Sequence, residues 1–297
     1  MCVSCDRKKG MKTDFYLGDQ KMKKLLVGMV VLLSVAGFVN AAEQAATAQT
    51  TTDPMGITVD LSWTSKYIWR GFDILDDTAA FQPSINMDLG SGFSANVWMS
   101  YAGSGGTTDA GLSRVNLTEY DYTLAYNGTA YEDCPWKTNY QVGWRYYDYI
   151  DTASKDNDVQ EVFLTGSMPA LMNNGVVPHF GVFQMWEAEQ GASKSATPAG
   201  RDYSGTIYLM GFDYGFALDQ APELPMTFSW DIVYNDGTGA ATVDHDWSHM
   251  VWGLKTAMTC PMTGAKIVPA VYFQNSFEDT VNTQDELWAS ISYAFSF

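Results

Sequence analysis

The chain has 297 residues and a formal net charge of −17, a length that suits one large domain or two ordinary ones. Charged residues make up only 17% and aromatic residues 14%, with Gly frequent and Leu scarce, which points away from a helical protein and toward an all-β chain with many turns. The acidic excess excludes nucleic acid as a partner and argues against electrostatic attachment to an anionic membrane surface.

Residues 1–21 contain a lone CxxC, Cys2 and Cys5, without the second ligand pair that a structural zinc site needs. They read as an extension upstream of a true start at Met22. Lys21, Lys23 and Lys24 then precede the apolar run Leu25 to Phe38, and Val39-Asn40-Ala41 supplies small residues for cleavage. That is the pattern of an export signal cut after Ala41, too short for a comfortable membrane-spanning helix. Seven of the 17 basic and three of the 34 acidic residues lie in 1–41, so the mature chain keeps 10 and 31, a net −21. Residues 42–55, small and polar, read as a disordered leader. Residues 56–297 form the domain.

From Ile57 onward apolar and polar residues alternate. In "ITVDLSWTSKYIWRG" the odd positions carry Ile57, Val59, Leu61, Trp63, Tyr67 and Trp69, and the even ones Asp60, Ser62, Thr64, Lys66 and Arg70. Period-two segments follow at "AFQPSINMDLG", "GFSANVWMSYA", "TEYDYTLAY", "TNYQVGWRYYDY", "DVQEVFLTGSM", "VVPHFGVFQMWE", "GTIYLMGFDYGFAL", "PMTFSWDIVYND", "HMVWGLKTAM", "KIVPAVYFQNSF" and "ELWASISYAFSF". The seventh is apolar on both faces and the eleventh is mixed. Twelve such segments, with no competing 3.6-residue period, predict strands. Their connections alternate between short turns (90–92, 219–225, 260–265) and longer polar loops (71–79, 103–116, 149–157, 188–202, 236–247, 278–284), with 127–137 a turn of intermediate length. Short at one end and long at the other is the pattern of an up-and-down barrel in an outer membrane.

The apolar face is rich in Trp, Tyr, Phe and Met, where a soluble sandwich would place compact aliphatics. Aromatic rings suit the lipid–water boundary. Backbone polar groups in hydrocarbon must all be paired, which a closed barrel achieves. The odd face of the opening stretch is therefore expected to meet lipid and the even face a wet interior. Phe297 ends the chain, with Phe295 and Tyr293 before it. This is similar to the terminal signature by which Gram-negative assembly machinery recognises and inserts barrels.

"SKYIWRGF" (Ser65, Tyr67, Arg70, Gly71), Gln82, "GFSANVW" (Gly92, Trp98), "TEYDYTLAY" (Glu119, Asp121), "YYDY" (Tyr146, Tyr147, Tyr149) and Glu161 resemble the TorF-type porin family over residues 57–165. The resemblance implies an outer-membrane barrel and supplies no substrate.

Inward acids (Asp60, Asp88, Glu119, Asp121, Glu161, Asp213, Asp231) outnumber inward bases (Lys66, Arg70, Arg145, Lys255), and carboxylate rings favour cations. The expected function is passive diffusion of small hydrophilic solutes with a mild cation preference. The rival is a barrel plugged by pairing among these charges. The acidic loops "DILDD" (73–77), "DYIDTASKDND" and "EDTVNTQDE" offer carboxylates to Ca²⁺ but lack the spacing of a dedicated calcium loop. They read as solvated, bridged at most by divalent ions to lipopolysaccharide. "DHDWSH" sets His245 and His249 beside Asp244, Asp246 and Ser248, a set that imitates a hydrolase triad or a metal site. No G-x-S-x-G occurs, and no enzyme activity or cofactor is expected. Cys134 and Cys260, each before a Pro in a turn, leave a disulfide open.

Overall fold

A computed structural model describes residues 56–109, 111–151, 158–188, 203–239 and 242–297. The expected extension, signal and leader, 1–55, lie outside the described residues.

The strands are β1 (Ile57–Thr64), β2 (Ile68–Trp69), β3 (Phe72–Asp73), β4 (Ala80–Gly90), β5 (Phe93–Ala102), β6 (Glu119–Ala130), β7 (Thr138–Asp148), β8 (Val159–Ser167), β9 (Val176–Glu187), β10 (Gly205–Leu218), β11 (Ala221–Asp236), β12 (His245–Thr256), β13 (Met258–Thr259), β14 (Lys266–Ser276) and β15 (Glu286–Ser296). Twelve of them are long, and they coincide with the twelve period-two segments of the sequence. Each pairs antiparallel with its neighbours in chain order. The ring closes because β1 pairs on one edge with β4, Ile57↔Met87 to Thr64↔Ala80, and on the other with β15, Thr58↔Ser296 to Thr64↔Ser290. Closure leaves no open sheet edge among the twelve, the condition for placing strands in hydrocarbon.

Alternation assigns the faces. Leu61, Trp63, Ile85, Tyr122, Leu124, Val142, Trp144, Val162, Leu164, Tyr208, Met210, Trp252, Phe273 and Ile291 are exposed large apolar residues on the wall. Gln82, Ser84, Asp121, Glu161, Ser290 and Ser292, on the opposite face of the same strands, are buried. The barrel is apolar outside and polar inside, and its outer surface is one a bilayer covers. On β9 the inner face carries Phe183 and Met185, both buried, and the outer face Phe180 and Val182. This resolves the strand that the sequence left ambiguous.

Tight turns join the strands at the end where β1 begins and β15 stops. Gly90, Ser91 and Gly92 have φ of 80°, 54° and 87°, and the Asp88 carboxylate accepts the Gly90 N–H at 2.8 Å. Asp88 thus braces a turn at the rim. The 219–225 turn is shorter than the sequence suggested: β11 already begins at Ala221, and Pro225 lies within it opposite Ala217. Cys134 and Cys260 are free and lie on two different turns. The connections after β1, β5, β7, β9, β11 and β14 lie at the other end.

One expectation fails here. The first strand stops at Thr64, not beyond Trp69. Tyr67 is buried, and Trp69 packs against the buried cluster containing Tyr147, Phe163 and Phe183. Neither faces lipid. Past Ser65 the chain leaves the wall and folds inward as a small hairpin, β2–β3, which is the centre of the candidate site.

Candidate functional site: a hairpin seated across the barrel

Ile68 pairs with Asp73 and Trp69 with Phe72, so Arg70-Gly71 is a two-residue turn. Both turn residues have positive φ, 46° and 98°, as the tight hairpin turn that matches strand twist requires. Gly71 is needed twice over. Its φ suits glycine, and a Cβ there would lie 2.6 Å from Nδ1 of His249 and 2.8 Å from Cγ1 of Val281. The turn places the Arg70 side chain at the tip.

The tip reaches one wall. An Arg70 guanidinium nitrogen lies 2.8 Å from Oε2 of Glu161 on β8. The group stands 4.0 Å over the Phe183 ring, and Nη1 donates to Sδ of Met185 at 3.1 Å. Arg145 on β7 approaches the other Glu161 oxygen at 3.4 Å and donates from Nε to Thr123 Oγ1 at 3.0 Å. The Tyr67 hydroxyl donates to Oε2 of Glu119 on β6 at 2.9 Å. Glu119, Asp121 and Glu161 are all buried.

A second set of contacts falls on the far wall. Lys66 Nζ lies 2.6 Å from Oε2 of Glu286 on β15 and also pairs with Asp77. Gln274 Nε2 and Asn282 Nδ2 donate to the Gly71 carbonyl at 2.9 and 3.2 Å. Ile68 packs with Ala270, Tyr272, Trp288 and Ala289 of β14 and β15. In the twelve-strand ring β8 and β15 are six places apart in either direction. The segment from Lys66 to Arg70 therefore spans the barrel along a diameter. Strands about 4.8 Å apart and tilted about 40° give twelve of them a backbone radius of about 12 Å, and a short extended segment with long side chains at both ends bridges that gap.

The loop around the hairpin is fixed as well. Leu75 packs with Tyr67, Ala80 and Leu117, and Arg114 Nε donates to the Leu75 carbonyl at 2.9 Å. Asp73 accepts the N–H groups of Leu75 (3.1 Å) and Asp77 (2.7 Å). Asp73, Asp77 and Glu286 converge closely enough to hold a metal ion, but the Lys66 ammonium is bound among them. The loop "DILDD", expected to be solvated, is tied to Lys66 through Asp77. Burial lowers the Lys66 pKa, and the hydrogen bonds and charges of Asp77 and Glu286 outweigh it, so it stands above the ordinary lysine value.

Burial pushes the Asp73 carboxyl up to about 6, against the two N–H donors and helped by the Glu286 charge. A pKa raised above its unfolded value near 3.8 means that folding takes up a proton between the two values. This contribution is fully present below the unfolded value and is lost as pH rises through about 6. Asp73→Asn, which mimics the protonated acid, is expected to raise resistance to urea at pH 8 and to leave it unchanged at pH 4. A gain of equal size at both pH values would refute this assignment.

Toward the turn end the inner wall is polar and open to water. His179 Nε2 lies 2.6 Å from Asp231 Oδ1, and Nδ1 lies 3.7 Å from Asp213 Oδ2, with the Asp213 side chain 40% exposed. Asn86 and Asn96 are hydrogen-bonded at 2.7 Å, as are Asn127 and Gln141 at 2.8 Å. Asp60 faces this interior beside Ser84 and bonds Ser62. Lys255, opposite Thr227 on β11, stands close to the turn end.

The structure therefore divides the sequence-selected charges. Glu119, Asp121, Arg145 and Glu161 meet in one buried cluster, joined by Arg70 from the hairpin. Lys66 and Arg70 do not line the wall beside Asp60, as a continuous strand required; they are carried by the hairpin. Asp213 and Asp231 meet through His179. Asp60 and Asp88 stand apart, and Lys255 lies within reach of His179. His245 and His249 do not converge. His245 is exposed and paired with Asp236 at 2.6 Å, while His249 is buried and bonds Ser248 at 2.9 Å. A register shift at Val233/Tyr234 turns Ser248 and His249 inward together. Tyr293 and Phe295 lie in ring contact on β15, and Phe297 packs edge-on to Phe295. The Phe297 N–H donates to the Ile57 carbonyl at 2.9 Å, tying the last residue to the first strand.

Residues 48–284 match Gcw_chp, described as a bacterial protein of unknown function. The chain belongs to this family. No curated protein matches the sequence. Among solved structures the barrel is similar to the KdgM porin (11% identity, 80% of this chain and 99% of that one, TM-score 0.48). It is also similar to the NanC porin (10%, 81% and 97%, 0.41) and to the β domain of the Bordetella autotransporter BrkA (12%, 82% and 99%, 0.38). At these identities and scores the likeness carries no function across, and the functional conclusion rests on this Gcw_chp barrel's own geometry.

Proposed function

We propose that this Gcw_chp protein is an outer-membrane diffusion channel of TorF-type porin character. It passes small hydrophilic solutes with a mild preference for cations, and the hairpin constricts its loop end. The observation that carries this reading is the polar inner wall open to water beneath the hairpin, with Asp213 and Asp231 facing it. Carboxylates lining a water-filled path concentrate cations and repel anions. The barrel's partners are outer-membrane lipid and lipopolysaccharide around the wall, and the assembly machinery that reads Tyr293, Phe295 and Phe297. The protein has no catalytic role in this reading: His245 and His249 point apart, and the one Ser–His pair of that segment, Ser248 and His249, is buried and not on the outer rim.

Planar-bilayer recording of refolded protein tests the channel. Discrete current steps are expected, with a reversal potential in a salt gradient that favours cations. Asp231→Asn and Asp213→Asn are each expected to reduce that preference while the current persists. Silence across voltage and salt would defeat the channel, and unchanged selectivity in both variants would remove the two acids from the permeation path. Recovery of the native protein in a soluble fraction would defeat the membrane assignment itself.

A further inference from the structure

We infer that the wall pocket filled by Arg70 is a binding site for solutes that carry a guanidinium group, and that the hairpin occupies it in cis as a tethered competitor. Access to the pocket rests on the channel reading; the pocket itself rests on geometry.

Charge is the first argument. The wall contributes three buried carboxylates, Glu119, Asp121 and Glu161, and one cation, Arg145. Arg70, which belongs to the hairpin and not to the wall, is the second cation. With the hairpin withdrawn, Glu161 keeps only Arg145 of its two guanidinium partners, an arrangement that attracts a replacement cation because a buried carboxylate is costly without its partner.

Shape is the second. A Glu161 oxygen lies 2.8 Å from a guanidinium nitrogen, the Phe183 ring lies 4.0 Å from the guanidinium centre, and the Met185 sulfur accepts from Nη1 at 3.1 Å. An aromatic ring beneath the group and a carboxylate beside it together fit a flat delocalised cation. They suit a compact ammonium less well, since it has neither a planar fork nor a stacking face.

Backbone conformation is the third. Arg70 has φ 46°. That region is disfavoured for residues with a Cβ, and the first central position of this turn ordinarily takes Asn, Asp or Gly. Arginine there gains nothing from the backbone, so its side chain's contacts account for its place. The hairpin presents one arginine, on a strained turn, to a pocket built for its head group. A solute with the same head group competes for that pocket, and each displacement of Arg70 releases the hairpin's tip from the β6–β8 wall.

The experiment uses refolded full-length protein in detergent, with folding verified by heat-modifiable gel migration, and agmatine as the probe. 1,4-Diaminobutane is the ammonium control. Calorimetric titration is expected to give one agmatine site in Arg70→Ala. The wild type should bind at least about tenfold more weakly, because a tethered group competes at millimolar effective concentration. Arg70→Ala/Glu161→Gln is expected to lose the site, and diaminobutane to bind Arg70→Ala more weakly than agmatine. Arg70→Lys, which keeps the charge and gives up the flat head group, should fall between wild type and Arg70→Ala, and it carries the test if Arg70→Ala does not fold. In bilayers agmatine should raise the wild-type current and interrupt that of Arg70→Ala. Equal agmatine affinity in wild type, Arg70→Ala and Arg70→Lys, or retention of the site after Glu161→Gln, overturns the inference. Currents that ignore agmatine also overturn it and leave the channel standing. Binding as expected in a barrel that never conducts removes the channel and leaves the site.

Discussion

Replacing Tyr67–Asp73 by a short glycine–serine connection is expected to raise the unit conductance several-fold. The segment crosses between diametrically opposed strands, held by Arg70–Glu161 on one wall and Lys66–Glu286 on the other. It brings Tyr67, Ile68 and Trp69 into an interior that would otherwise hold water. Conductance follows the narrowest cross-section, and a bar across a lumen of about 12 Å backbone radius removes most of it. The same replacement takes Tyr67 from Glu119 and Arg70 from Glu161, so the barrel should also lose stability toward heat and denaturant. The two effects are separable: conductance is read per open channel and stability per population. Equal unit conductance in wild type and variant would mean that ions pass elsewhere, and the hairpin would then be only a brace.

The wall of this barrel was legible in the sequence because period two is enforced at every step by a two-sided environment. Trp63 and Phe228 face out and Asp60 and Asp231 face in because a one-residue slip would reverse all four. The hairpin was harder to read, because Tyr67 and Trp69 continue the odd-position aromatics of β1 without a break. Two signals mark the departure. Ile68 puts an apolar residue on the polar side, and Arg70-Gly71 is a turn dipeptide with Ile68 and Phe72 on either side. β9 was ambiguous for a linked reason. Its inner face is apolar at Phe183 and Met185 because the hairpin tip packs there, so the inside of the barrel is not uniformly wet. The bulge beside Ser248 hid the separation of His245 and His249, since alternation alone assigns them to one face. The pairings that make the site lie beyond sequence reasoning altogether. Lys66 and Glu286 are separated by 220 positions, and nothing in either local pattern names the other. Gln274, Asn282 and Glu286 carry no motif, and their roles exist only once the ring is closed.

Glu161→Gln is expected to be the most destabilising single substitution of a wall carboxylate. The Glu161 side chain is fully buried and meets two guanidinium groups, Arg70 at 2.8 Å and Arg145 at 3.4 Å. The amide keeps the volume and one acceptor oxygen but removes the charge, leaving two arginines packed around a neutral group. Breaking a buried ion pair by taking away one partner costs about 3–5 kcal/mol. Loss of a well-packed hydrophobic contact at the exposed outer face would cost far less. The penalty is therefore assigned to the stranded arginines and not to the glutamate's own contacts, and this has a consequence. Removing Arg70 as well should restore part of the loss, because Arg145 keeps its bonds to Thr123 and Tyr147 and the remaining charge is met by Glu119 and Asp121. A double-mutant cycle on urea-induced loss of the heat-modifiable form measures this directly, with a coupling well above the few tenths of a kcal/mol expected of independent sites. Additive effects of Glu161→Gln and Arg70→Ala would show that the two side chains do not act on each other. The hairpin would then be held by Ile68, Lys66 and the Gly71 carbonyl on the β14–β15 side alone.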